Sequence, residues 1–228
     1  MNIFYDDLHE CDLREDVDYF RKCGFLIQEP KMIKKADISA LDKNLYQYLE
    51  DYKNMAFKFI DLPEEEVLMT LGEESFRCFG KFSAGYFLLN QDGAVYLLLN
   101  HYESQGDLSS WFDNDSGANN LALTRYQDQI SQGLGILFVN QSLEDFLESF
   151  SLFMMRVFQL KSKIKRLAID FERQAVIFKK DIISFSPLAV EDGSFWNHMV
   201  FHISENLGWL QLTPGVVPYL KTKKQKGI

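Results

Sequence analysis

The sequence predicts a globular fold of mixed helices and strands, with strands gathered mid-chain and a mostly helical C-terminal portion. Three features of the chain point there. Residues 85–99 hold two apolar runs on either side of an Asp92-Gly93 turn, a strong short-range hairpin signal because both residues tolerate the positive φ of a tight turn. Leu137-Phe138-Val139 reads as a strand that runs straight into a helix start at Asn140 and Ser142. From Arg156 onward the pattern is mostly helical. With 46% hydrophobic residues, 20 Phe and 10 Tyr, the 228-residue chain can fill one domain with a sizeable core.

The elements follow in chain order. Asp12 to Cys23 reads as a short helix, with Asp12 as cap, Leu13, Val17 and Phe20 on one face and Gly24 as the stop. Phe25-Leu26-Ile27 suggests a short strand before Pro30. Ser39 to Tyr52 carries a helical stripe of Leu41, Leu45, Tyr48, Leu49 and Tyr52. Phe57 to Leu62 is an apolar run ended by Pro63, and Val67 to Leu71 fits either a strand or a turn of helix. Phe76 to Phe82, Gly85 to Asn90 and Val95 to Leu99 read as strands. Residues 101–132 are rich in turn formers and read as a long connection, the kind that in a compact domain is usually functional or mobile. In the helix after the strand at 136–139, Leu143, Phe146, Leu147 and Phe150 recur at helical spacing. Ser142 with Asp145 approximates a capping box, and Glu144, Asp145 and Glu148 favour the positive end of the helix dipole. Asp192-Gly193-Ser194 signals a cap for a last helix over 195–207, stopped by Gly208. The chain is expected to be a single domain over 1–228, with an N-terminal helical segment at 1–56 and a tail at 209–228.

Charge and cysteine usage narrow the function classes. Residues 1–155 hold 27 acids and 12 bases, a net of −15, whereas residues 156–228 hold 6 acids and 12 bases, a net of +6. An acidic body repels phosphate and argues against nucleic acid as the direct partner. It would steer a basic protein towards itself, and it also serves plain solubility. Cys11, Cys23 and Cys78 are scattered and odd in number, which suits a reducing compartment better than a disulfide framework. Met1 to Glu10 has no apolar signal core, and no stretch reaches the ~18 apolar residues of a membrane span, so the expected location is the cytoplasm.

The chemistry-bearing residues form few patterns. His198 and His202 lie four apart and would share a helix face. A metalloprotease helix would need Glu after the first His, where this chain has Met199. His9 and Cys11 lack further ligands, and Gly133-Leu134-Gly135 lacks the third glycine of a dinucleotide site. No Gly-Lys-Ser or Gly-Lys-Thr phosphate loop and no Gly-x-Ser-x-Gly elbow occurs. The expectation is therefore no catalytic residue, no metal and no cofactor. Two clusters remain. Lys161, Lys163, Lys165 and Arg166 with Arg173, Lys179 and Lys180 read as a solvated helix face or as a basic patch. Glu103, Asp107, Trp111, Phe112, Asp113 and Asp115, beside Tyr102, are an acidic stretch with aromatic residues. Trp111 and Phe112 either tuck back to staple their loop or anchor a protein partner ringed by acids.

The segments Gly93-Ala94-Val95-Tyr96, after Asp92, and Phe138-Val139-Asn140-Gln141-Ser142-Leu143-Glu144-Asp145-Phe146 resemble the SUKH superfamily of Smi1/Knr4-like proteins, closest to its fourth group. Asp192-Gly193-Ser194-Phe195-Trp196 is similar to the Trp-containing helix that ends several members, and the resemblance covers residues 57–208. The long connection between Asn100 and Gly135 and the basic stretch after Arg156 depart from that pattern. The resemblance implies an α+β fold: a curved, mostly antiparallel sheet with packed helices. It also implies a bacterial immunity protein, part of a toxin–antitoxin pair. Such a protein binds a basic toxin, often a nuclease or nucleic-acid deaminase, and neutralises it by occlusion without turnover. The same superfamily also implies an alternative, a regulatory or scaffolding module that recruits other proteins.

Overall fold

The computed structural model describes residues 13, 16–27, 33–34, 65–82, 85–100, 121–163 and 169–205. The fold is α+β, built on an antiparallel sheet with helices packed against it. Strands β1 (Ile33–Lys34), β2 (Glu65–Leu71), β3 (Glu74–Phe82), β4 (Gly85–Asn90), β5 (Val95–Leu99) and β6 (Ile136–Asn140) lie side by side in sequence order. The last five form a meander, and the two-residue β1 extends it at the β2 edge. Leu26 adds one more bridge to that edge by exchanging both backbone bonds with Thr70 at 2.8 Å. The run Phe25–Ile27 is thus a single bridge rather than a strand.

Both faces of the sheet are covered. On one face Phe87, Leu97, Leu99 and Leu137 pack against α4 (Leu143–Lys163), α5 (Phe171–Ile183), a 3-10 turn (Pro187–Val190) and α6 (Phe195–Ser204). On the other face Phe76, Tyr86, Leu88, Tyr96, Leu98 and Phe138 meet three short helices: α1 (Val17–Lys22), α2 (Leu121–Arg125) and α3 (Gln127–Ser131). Successive strand residues point to opposite faces. A strand buried on both sides therefore reads as a continuous apolar run rather than an alternating one. That is why Val95-Tyr96-Leu97-Leu98-Leu99 and Ile136-Leu137-Phe138-Val139 are apolar throughout.

Local chemistry sets the ends of several elements. Gly24, at φ +89°, closes α1, and Phe25 N–H donates to the Phe20 carbonyl at 3.0 Å. The helix starts at Val17 rather than after Asp12; the Asp16 carboxylate turns away from the helix end towards Tyr86. Gly93, at φ +87°, closes the β4–β5 loop, and Asn90 Oδ1 accepts from the backbone N–H groups of Asp92 and Ala94 at 3.1 and 2.8 Å. Residues 121–131, read as part of a long connection, instead form α2 and α3. The two helices continue into each other around Tyr126, whose N–H donates to the Ala122 carbonyl at 2.8 Å. The helical stripe at Ser39–Tyr52 and the run Phe57–Leu62 lie outside the described residues.

Candidate functional site

Two irregularities in the sheet aim its polar residues. On β3 the pairing moves from Cys78↔Leu88 to Gly80↔Phe87, so Phe79 is an extra residue. The bulge shifts the phase of the strand and puts Lys81 opposite Tyr86 on the face covered by α1. There Lys81 Nζ lies 3.3 Å from both Asp16 carboxylate oxygens and 5.4 Å from the centre of the Tyr86 ring. The Tyr86 hydroxyl donates to Asp16 Oδ1 at 2.8 Å, and burial followed by that carboxylate pushes its pKa well up. Tyr19 of α1 donates to the Leu99 carbonyl. Cys23 is half-buried at the end of α1, with its thiol pushed up by burial, and Cys78 is buried within the sheet.

On β6 the pairing moves from Tyr96↔Phe138 to Val95↔Asn140, so Val139 is the extra residue. Strict alternation would have turned Asn140 to the α1–α3 side. The bulge instead turns it, opposite Val95, into the layer formed by α4, α5 and α6. Asn140 is 0% exposed there and joins four elements. Its Oδ1 accepts from Trp196 Nε1 of α6 at 2.7 Å. Its Nδ2 donates to Ser149 Oγ of α4 at 3.0 Å and to Ser186 Oγ, beside the 3-10 turn, at 3.2 Å. Ser149 and Ser186 are themselves 0% exposed. The sequence offered both Asn140 and Ser142 as caps. Ser142 alone takes that role, accepting from Asp145 N–H at 3.0 Å, while Asn140 is a buried tie. Leu143 and Phe146 then bury beneath the helix, with Phe146 5.2 Å from Phe87. Ser194, expected to cap α6, points its hydroxyl backwards, 2.6 Å from the carbonyls of both Ala189 and Glu191; its single proton serves one or the other, and either bond fastens the helix start to the 3-10 turn.

A third polar group lies where the β2–β3 and β4–β5 turns come together. Arg125 of α2 donates from Nε to Glu74 Oε1 at 2.6 Å and from Nη2 to Asp92 Oδ2 at 2.5 Å. The Tyr126 hydroxyl donates to Glu74 Oε2 at 2.6 Å. The Tyr126 ring sits 5.3 Å from Tyr96 and 6.0 Å from Phe76. Asp92, a turn residue by sequence, thus also accepts from a guanidinium. Burial and then the Glu74 carboxylate push the Tyr126 phenol up, and burial does the same to Tyr96.

The acidic and aromatic residues Glu103, Asp107, Trp111, Phe112, Asp113 and Asp115 lie outside the described residues. His198 and His202 both fall on α6; burial followed by His198 lowers the His202 pKa to about 4. Among the described residues no group of three His, Cys, Asp or Glu could hold a metal ion, and no helix is long and apolar enough to cross a membrane. Gly133, at φ +100°, closes α3, with Leu134 N–H donating to the Gln129 carbonyl at 2.9 Å, and so ends a helix rather than cradling a phosphate. Of the basic residues, Lys179 donates to Asn197 at 3.1 Å and so ties α5 to α6, while Arg173 lies in the first turn of α5, which Asp170 caps. Lys180 is in its last turn, Lys161 and Lys163 end α4, and Lys165 and Arg166 lie outside the described residues.

No protein-family model, curated protein or solved structure matches this chain.

Proposed function

We propose that the protein is a non-catalytic immunity protein of the SUKH kind, acting in the cytoplasm, which binds a basic nuclease or deaminase toxin and neutralises it by occlusion. The observation that carries the reading is the bond between Asn140 and Trp196. These residues stand in two separate segments that carry the resemblance, 56 positions apart in the chain, and they meet at 2.7 Å. A motif whose distant parts contact one another has a physical reason to occur together. The bulges at Phe79 and Val139 add local bend and twist, in keeping with the curved sheet such proteins carry. The net charge of −15 over residues 1–155 suits a basic partner, since nucleic-acid enzymes present positive surfaces to their substrates.

The proposed contact surface is the acidic–aromatic stretch of Glu103, Asp107, Trp111, Phe112, Asp113 and Asp115. The test is a pull-down from lysate of the source organism at low and high salt, followed by activity assays of whatever is captured. One tight basic nuclease or deaminase domain, inhibited at equimolar ratio, is the expected result. Glu103→Lys, Asp107→Lys, Asp113→Lys and Asp115→Lys together should then slow association while leaving the circular dichroism unchanged. Several weak partners without an inhibited enzyme would replace this reading with a regulatory or scaffolding module. Unchanged association at low salt would remove the acidic stretch from the interface.

A further inference from the structure

Both faces of the sheet carry apolar cores, but the helices on them contribute to those cores unequally. The α4–α6 side is fastened by a large apolar core that includes Phe146, Phe150, Phe153, Phe178, Phe195 and Trp196. Among the described residues the α2–α3 side buries Ala122, Tyr126 and Leu134, with Leu121 and Ile130 partly buried. Each of these helices has five residues, too short to persist on backbone propensity alone. They also carry Arg125, whose guanidinium spans two separate turns of the sheet through Glu74 and Asp92. Tyr126 shares the Glu74 carboxylate, so the guanidinium and the buried phenol act on one acceptor.

We infer that Arg125 is an ionic latch: α2 and α3 form a cover that opens from the sheet as its own unit, and the bridge from Arg125 to Glu74 and Asp92 sets how often it opens. Opening lifts the Tyr126 ring from Phe76 and Tyr96 and uncovers an aromatic strip on the sheet. Such local opening is the usual behaviour of elements with few buried apolar contacts. The Arg125 side chain is one-third exposed and the Asp92 side chain 55% exposed, so salt and competing cations reach the latch. A basic protein surface is one such competitor.

The test is native-state amide hydrogen exchange on the full chain, comparing wild type with Arg125→Met, Arg125→Lys and Asp92→Asn. Arg125→Met should speed exchange of the α2–α3 amides by roughly tenfold, the loss of charge-assisted bonds discounted for exposure, with α5 and α6 amides unchanged. Arg125→Lys should fall between, because one ammonium cannot span both carboxylates. High salt should reproduce part of the effect in wild type and none of it in Arg125→Met. Should Arg125→Met fail to fold, Asp92→Asn removes one exposed arm of the latch and should give a smaller change confined to the same helices. Exchange that rises uniformly over the molecule, or stays unchanged in α2–α3, would overturn the latch.

Discussion

Replacing Asn140 with leucine tests the buried tie most directly. Leucine keeps the branched outline of asparagine, although its methyl groups are bulkier than the amide, and every polar contact of Asn140 disappears. Trp196 Nε1 then loses its 2.7 Å acceptor inside a fully buried indole site. An orphaned buried donor costs about 1–3 kcal/mol. The Ser149 hydroxyl can turn to a carbonyl one helical turn back, so its loss costs less; the two serine bonds together are worth about 1–2 kcal/mol. The sum, about 2–5 kcal/mol, is a large share of the ~5–15 kcal/mol that holds a typical domain together. Urea unfolding followed by far-ultraviolet circular dichroism measures it, with the slope checked for two-state behaviour. Trp196→Phe removes the donor instead and leaves the Asn140 oxygen short of one partner. In the double variant no indole N–H is left buried without an acceptor, so the double loss should fall short of the two single losses added together by about 1–2 kcal/mol. Strict additivity, or an Asn140→Leu loss under about 1 kcal/mol, would refute the reasoning, because either would mean that the Trp196 proton was never dependent on Asn140.

Two further outcomes follow from the geometry. Gly85 lies so close to β5 that an added Cβ would sit 2.1 Å from the Leu98 carbonyl oxygen; Gly85→Ala should destabilise by about 3 kcal/mol or prevent folding, read as a lowered urea midpoint or loss to the insoluble fraction. His202 is held near a pKa of about 4, below the 6.5 of an unperturbed histidine, by burial and then by His198. The unfolded chain therefore binds a proton that the folded chain resists, and stability falls as pH drops from about 6.5 towards about 4. For a half-buried ring screened by solvent this amounts to about 1–2 kcal/mol, and His202→Gln should flatten that part of the stability–pH curve.

The chain's local signals determined what short-range sterics control. Gly24, Gly93 and Gly133 have positive φ and end helices or turn a hairpin, which an L side chain resists within a few residues of sequence. Ser142 caps α4 because an oxygen and an N–H three residues apart meet at any helix start. Periodicity left Val67–Leu71 undecided between helix and strand, and the pairing Val67↔Cys78 through Leu71↔Glu74 settled it. It likewise missed α2 and α3, whose five-residue helices carry too few apolar positions to show a stripe. The role of Asn140 was beyond local reading. Its side chain faces Trp196 because Val139 is bulged against β5, and a bulge is a property of two strands, not of one. Arg125 is the same case. Nothing near it in sequence announces a latch, since Glu74 and Asp92 lie 51 and 33 residues away and reach it only once both turns stand at one end of the sheet. Turns and caps are thus written in neighbouring residues, where torsional sterics act. The ties that join the layers exist only after strand register has brought distant polar atoms within about 3 Å of one another.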